Sequence, residues 1–258
     1  MGTALIKGLL KQGYPADTIY VAEPDPSRRQ LLAELGVELF ADSQGMLGAL
    51  TRRKADGVIL AVKPQNVPEA VAGLNLAGLP LLSIVAGYKV AALEALLPAG
   101  TKVLRAMPNT PALIGAGITA LALGAESGTA EQAWAEKILR SLGRVVLVPE
   151  SLMDAVTGLS GSGPAYVYLL IEALIDGGVL AGLPRTLARE LAVATVLGSA
   201  RMVAETGEHP AVLRDMVTSP GGTTITGLYA LEEAGFSGQV MKAVLAAAER
   251  SRVLGEKK

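Results

Sequence analysis

The chain contains no cysteine and a single histidine, His209, in 258 residues. Without cysteine there is no disulfide framework, no thiolate zinc site and no cysteine nucleophile. One imidazole excludes a multi-histidine metal centre, so no metal site is expected, and any Ser-His-Asp triad would have to run through His209. Aromatic residues make up only 3% of a chain that is half hydrophobic, so the core must be aliphatic. That composition favours helices and parallel strands over a β-sandwich. Charged residues are also scarce, at 18% of the chain against a usual share of about 25%. Lys and Arg number 23 against 24 Asp and Glu, a net charge of −1 that excludes electrostatically driven nucleic-acid binding as the main activity.

The first ten residues, Met1 to Leu10, lack the basic leader, long apolar core and cleavage site of a secretory signal. No run of about 18 residues is both free of charge and apolar throughout, as a membrane span would require. The nearest candidate, 165–183, carries Glu172 and Asp176 and reads as a helix buried between protein surfaces. The expected protein is cytoplasmic, acts on a small molecule, and has neither nucleic acid nor membrane as a partner.

What is present is an alternation of short β-branched runs with helical stretches. Ile19 to Ala22, Val58 to Val62, Leu81 to Val85, Lys102 to Ala106, Ile118 to Leu123 and Val145 to Val148 read as strands. Several of these runs are apolar throughout, as strands covered on both faces should be. Strands separated by helices imply right-handed crossovers and a Rossmann-type, doubly wound, mostly parallel sheet. After Glu150 the pattern becomes helical, with helices over 163–182, 184–206, 209–216, 223–234 and 237–254. Two domains follow, a dinucleotide-binding domain over 1–149 and an all-helical substrate and dimerisation domain over 150–258. Leu187, Leu191, Ala194, Val196, Leu197 and Met202 make one helix apolar over a wide stripe, which calls for burial against a second chain.

An open α/β sheet binds ligand at the carboxyl ends of its strands. Met1-Gly2 ahead of a helix reads as the end of a glycine-rich turn. Glu23 closes the next strand, where an acid can bond a ribose hydroxyl, while Arg28 and Arg29 behind it suit a 2′-phosphate. Ala61-Val62-Lys63-Pro64, Ala86-Gly87 and the Met107-to-Pro111 turn follow successive strands with small or proline-fixed residues, which suits a flat cofactor ring. In the helical half, 157–166 and 217–224 place glycines and hydroxyls ahead of helices, an arrangement suited to a carboxylate. His209, followed by Pro210, reads as a helix cap rather than a general acid.

The stretches LAVKPQ at 60–65, MPNTP at 107–111, SGSGPAY at 160–166 and PAVLRDMVTSPGGTTITGLYALE at 210–232 resemble pyrroline-5-carboxylate reductase along essentially the whole chain. The resemblance implies NAD(P)H-dependent reduction of 1-pyrroline-5-carboxylate to L-proline, with NADPH favoured over NADH, in a homodimer that often assembles into a decamer. It implies that Thr224 faces the substrate ring nitrogen and that Ser219, Gly222 and Thr223 belong to the loop holding the carboxylate. Thr157 and Glu150 would lie near nicotinamide and substrate. Met1, Gly2, Ala61, Val62, Lys63, Pro64, Ala86 and Gly87 fall at the family's cofactor turns. The family's opening strand and first glycines are missing ahead of Met1. A start placed too far downstream is the favoured explanation, and the expectation is weak NAD(P)H binding by the chain as written. Two alternatives are a related dehydrogenase acting on another cyclic imine or a hydroxy acid, and a helical dimer without catalysis. A hydroxy-acid enzyme of that build would need a catalytic lysine in the helical half, and only Lys242, Lys257 and Lys258 follow residue 137.

Overall fold

A computed structural model describes residues 1–50 and 55–256; Lys257 and Lys258 lie outside the described residues. The chain divides into two compact units, one made of Met1–Ser162 with the segment from Leu245 onward, the other of Gly163–Val244.

In the first unit α1 (Gly2–Lys11), β1 (Tyr20–Ala22), α2 (Pro26–Ala33), β2 (Glu38–Phe40) and α3 (Ser43–Leu50) come first. They are followed by β3 (Val58–Leu60), α4 (Val67–Val71), β4 (Leu81–Ser83), α5 (Val90–Glu94) and β5 (Val103–Met107). β6 (Gly117–Leu123), α6 (Thr129–Leu139), β7 (Gly143–Leu147) and α7 (Met153–Val156) complete the series. The strands form two sheets. β1 and β2 pair in parallel, and β3-β4-β5-β6-β7 lie side by side in that order. Within the larger sheet only β5 and β6 are antiparallel, with Ala106 opposite Leu121. The expected mostly parallel sheet is present, flanked by helices.

The aliphatic composition goes where it must. Leu81, Leu82, Leu104 and Leu121 are fully buried on the sheet. α1 divides its apolar side between two clusters: Ala4, Leu5 and Leu9 pack with Leu82 and Leu104, and Ile6 packs with Leu32 and Val37. Asp25 starts α2 by accepting the Ser27 N–H at 2.8 Å, ahead of Pro26 at the first helical position. Lys102 and the Gly128 N–H both reach the Glu131 carboxylate at the head of α6, and the Lys102 contact holds that carboxyl at about 2.

Two expectations change. β2 was not anticipated, because Glu38-Leu39-Phe40 is too short to show a strand's alternation. The strands read as 58–62 and 81–85 end at Leu60 and Ser83; the Ile84 N–H donates to the Leu60 carbonyl at 3.0 Å as the last rung, and the chain then turns away. The compact units part at Ser162, and the end of the last helix belongs to the first unit.

The second unit contains α8 (Gly163–Leu180), α9 (Arg185–Thr206), α10 (Pro210–Met216) and α11 (Thr223–Glu233), and α12 (Phe236–Glu256) begins in it. α8 and α9 approach closely where Gly178 faces Ala188, and Arg185 pairs with Asp176 at 2.8 Å across their connection. The Tyr166 hydroxyl donates to the Ala243 carbonyl at 3.3 Å. Leu169, Leu180, Leu191 and Leu197 are nevertheless exposed, Leu180 at 91%. Among the described residues, 150–180 is the one helical stretch long and apolar enough to cross a membrane by length and composition.

Gly8 tests the seat of α1. A Cβ there would stand 2.6 Å from the Ser141 carbonyl oxygen, a backbone atom that cannot swing aside. Gly8→Ala is expected to lower unfolding stability by about 1–3 kcal/mol through overpacking, read as a lower urea midpoint at an unchanged m-value.

Candidate active site

Parallel strands deliver their carboxyl ends to one edge, and the turns that leave β3, β4 and β5 carry the candidate residues. After Leu60 the chain runs through Ala61, Val62 and Lys63 before Pro64 begins a short helical turn. Lys63 is exposed, Val62 half-buried. Gly2 sits against this turn: a Cβ on it would stand 3.4 Å from the Ala61 Cβ, so the start of α1 and the end of β3 meet with almost no side chain between them. α1 has no side-chain cap on its first amides. After β4, Ala86 is exposed, and Gly87 adopts φ +64°, a left-handed conformation that favours glycine. Beyond β5, Asn109 accepts the Ile118 N–H at 3.0 Å, which fixes the Met107-to-Pro111 turn to β6.

A cleft of about 780 Å³ opens in the first unit, lined by Pro64, Ala86, Gly87, Tyr88, Thr157 and Ser162 together with one face of α12. Its size is in the range of small-molecule and cofactor sites. The cleft thus gathers Pro64, Ala86, Gly87 and Thr157 from the expected set. Met1, Gly2, Ala61, Val62, Lys63 and Glu150 do not line it. Ala247, Arg250, Ser251 and Leu254 do, and sequence reasoning missed them. Their spacing of three and four residues marks one side of a helix, but every amphipathic helix has such a side. Ser251 is 5% exposed, and its hydroxyl donates to Asp154 Oδ1 at 2.6 Å, which pins this end of α12 to α7.

The stretch 157–162 is not the open helix start expected from its glycines and hydroxyls. Thr157 to Gly161 form a π-helical turn that carries α7 towards α8. The Thr157 hydroxyl donates to the Met153 carbonyl at 2.8 Å and that of Ser160 to Val156 at 3.0 Å, so each leaves only its oxygen lone pairs to accept. Widened turns of this kind are frequent at functional sites. Gly161 permits close approach to β5, since a Cβ on it would stand 2.6 Å from Met107 Cε.

Glu150 is engaged inside the fold. Its Oε1 accepts the Val90 N–H at 2.7 Å and an Arg105 N–H at 3.1 Å. Of the two arginines behind Glu23, Arg29 donates to the carbonyls of Glu23 and Pro24 at 2.6 and 2.9 Å, while exposed Arg28 reaches Asp25 only at 3.8 Å. His209 caps α10 as expected, its Nδ1 accepting the Ala211 N–H at 3.2 Å.

In the second unit the SPGGTT stretch forms a tight turn into α11. Gly221 has φ +65°, the Gly222 N–H donates to the Ser219 carbonyl at 3.1 Å, and a side chain at Gly222 would collide with the Ser219 hydroxyl. The Gly222 amide is therefore already used, and the amides of Thr223, Thr224 and Ile225 are those without an acceptor within the helix. The hydroxyls of Thr223 and Thr224 make no hydrogen bond among the described residues, and no cluster of metal-ligating side chains occurs among those residues.

The side-chain-free contact of Gly2 with Ala61, the uncapped start of α1 and the small residues at the strand ends fit a dinucleotide, whose pyrophosphate needs amides and whose rings need flat walls. Residues 150–254 match the family model for pyrroline-5-carboxylate reductase dimerisation, and residues 1–87 match that for NADP oxidoreductase, coenzyme F420-dependent. Pyrroline-5-carboxylate reductase of Synechocystis sp. is 46% identical over 261 residues, covering 100% of this chain and 96% of the relative. That of Methanosarcina acetivorans is 43% identical, covering 100% and 95%. The crystal structure of Plasmodium falciparum pyrroline carboxylate reductase with NADP bound superposes with a TM-score of 0.88 at 32% identity, covering 99% of this chain and 94% of that one. Along its whole length the chain belongs to the pyrroline-5-carboxylate reductase family.

Proposed function

We propose that the protein reduces 1-pyrroline-5-carboxylate to L-proline with NADPH or NADH, as the last step of proline synthesis in the cytoplasm. The observation that carries this reading is the Ser219-to-Thr224 turn, which offers uncommitted amides and two uncommitted hydroxyls at the start of a helix. A bound dinucleotide supplies a hydride from nicotinamide C4. The imine carbon accepts that hydride and the ring nitrogen accepts a proton, so no metal or thiol is required by the balance of the reaction.

The chain's own residues hold and polarise. The amides of Thr223, Thr224 and Ile225 bind the substrate carboxylate, helped by the partial positive charge at the start of α11. The Thr224 hydroxyl donates to the ring nitrogen and stabilises the charge that changes there. Pro64, Ala86 and Gly87 wall the nicotinamide, and the small side chains let the ring lie close to the backbone. Thr157, with its proton directed to Met153, presents its lone pairs to the nicotinamide. The exposed apolar faces of α8 and α9 are those of a homodimer, which assembles further into a decamer.

Thr224→Val is expected to lower kcat by about 100-fold, with a smaller effect on the KM for the dinucleotide, and Thr224→Ser to recover most of the loss. Unchanged kcat in Thr224→Val would remove this residue from the chemistry. With Arg29 committed to two carbonyls, Arg28 is the guanidinium within 23–29 left for a 2′-phosphate. Arg28→Ala is expected to raise the Kd for NADPH about tenfold, the scale of one charge-assisted hydrogen bond, while that for NADH stays nearly constant; nicotinamide fluorescence titration reads both.

A further inference from the structure

A buried arginine is costly unless paired, and Arg105 is only 3% exposed. It stands on β5 between β4 and β6, with Ser83 and Ala122 as its neighbours in register. Its partner is Glu150, 45 residues further along the chain. The same carboxylate oxygen that accepts from Arg105 at 3.1 Å also accepts the Val90 N–H at 2.7 Å. Val90 is the first residue of α5, a helix whose N-cap, Lys89, supplies no side-chain bond. Glu150 therefore caps α5 from a distance.

The position of these two bonds gives them a consequence. Val90 follows Ala86-Gly87-Tyr88 without an intervening element, and those three residues wall the cleft. Glu150 precedes α7 and the π-helical turn that brings Thr157 and Ser162 to the same cleft. One carboxylate thus joins the sheet, through Arg105, to the start of α5, and it lies on the chain just ahead of the second segment that lines the cleft. Glu150 is itself absent from the lining, although the family resemblance sets it near nicotinamide and substrate.

We infer that Glu150, held by Arg105, is a positioning residue that fixes the 86–88 turn for the nicotinamide dinucleotide, and that it does not bind the substrate. The dinucleotide as ligand rests on the function proposed above. Loss of the carboxylate frees the start of α5, lets the turn drift, and leaves the Arg105 charge buried without its counter-ion.

The test measures Kd for NADPH and NADH by nicotinamide fluorescence in the full chain, and KM for 1-pyrroline-5-carboxylate at saturating dinucleotide. Glu150→Ala is expected to raise both Kd values about 10- to 100-fold, the scale of a misplaced binding wall, with KM for the imine nearly unchanged. Glu150→Gln, which keeps an acceptor oxygen for both donors, is expected to restore most of the affinity. Val90→Pro provides a variant independent of the Arg105 charge: proline suits the first position of a helix but has no N–H to donate. It should weaken dinucleotide binding in the same way even where Glu150→Ala does not fold. Unchanged Kd in Val90→Pro, or an unchanged Kd with a raised imine KM in Glu150→Ala, would overturn the inference. Dinucleotide binding without turnover of the imine in the unmodified protein would instead defeat the proposed reaction and leave the positioning role standing.

Discussion

Parallel strands cannot be joined by a hairpin, and the rest of the first unit follows from that constraint. Each return crossing costs a helix or a long connection, and each leaves the carboxyl ends of neighbouring strands on one edge. β3, β4 and β5 obey it, so the turns at 61–64, 86–88 and 107–111 emerge together although they are scattered through the sequence. The aliphatic core supports this arrangement. Leu81, Leu82, Val103 and Leu104 can be buried on both faces of thin strands without the bulk that aromatic side chains would bring. Small residues at the strand ends then become affordable as well as useful, because Ala61, Ala86 and Gly87 need fill no core volume.

The helical unit answers a different constraint. Among its described residues only Ala188 and Ala192 are buried apolar side chains, while leucines on α8 and α9 remain in contact with solvent. A unit so poor in its own core is stabilised by association, as large exposed apolar surfaces generally indicate. The match of residues 150–254 to a dimerisation family agrees with that physical reading. Glu172 and Asp176 within α8 mark the same helix as one that meets protein and water in addition to apolar surface.

Legibility in the sequence followed the range of the interactions. The cap at His209 and the tight turn at Ser219-Pro220-Gly221-Gly222 depend on residues two to four apart, and both stand where their local chemistry put them. Most helices end within a few residues of their expected limits for the same reason. β2 escaped because three residues cannot display a period of two. The π-helical turn at 157–161 escaped because glycine and serine suit a loop as well as a widened turn. The contribution of Ala247, Arg250, Ser251 and Leu254 to the cleft, and the bonds of Glu150 to Val90 and Arg105, are contacts between segments distant in sequence. Nothing local in those residues announces them. The motif resemblance supplied chemistry that folding rules alone could not, since SPGGTT by itself reads only as a turn.

The most direct test of the account is the oxidation of NADPH and NADH, followed at the nicotinamide absorbance with 1-pyrroline-5-carboxylate as acceptor and with proline measured in the same mixture. The account predicts dinucleotide oxidation that requires the imine and yields proline in equal amount. Protein that binds the dinucleotide yet leaves it unoxidised in the presence of the imine would contradict it.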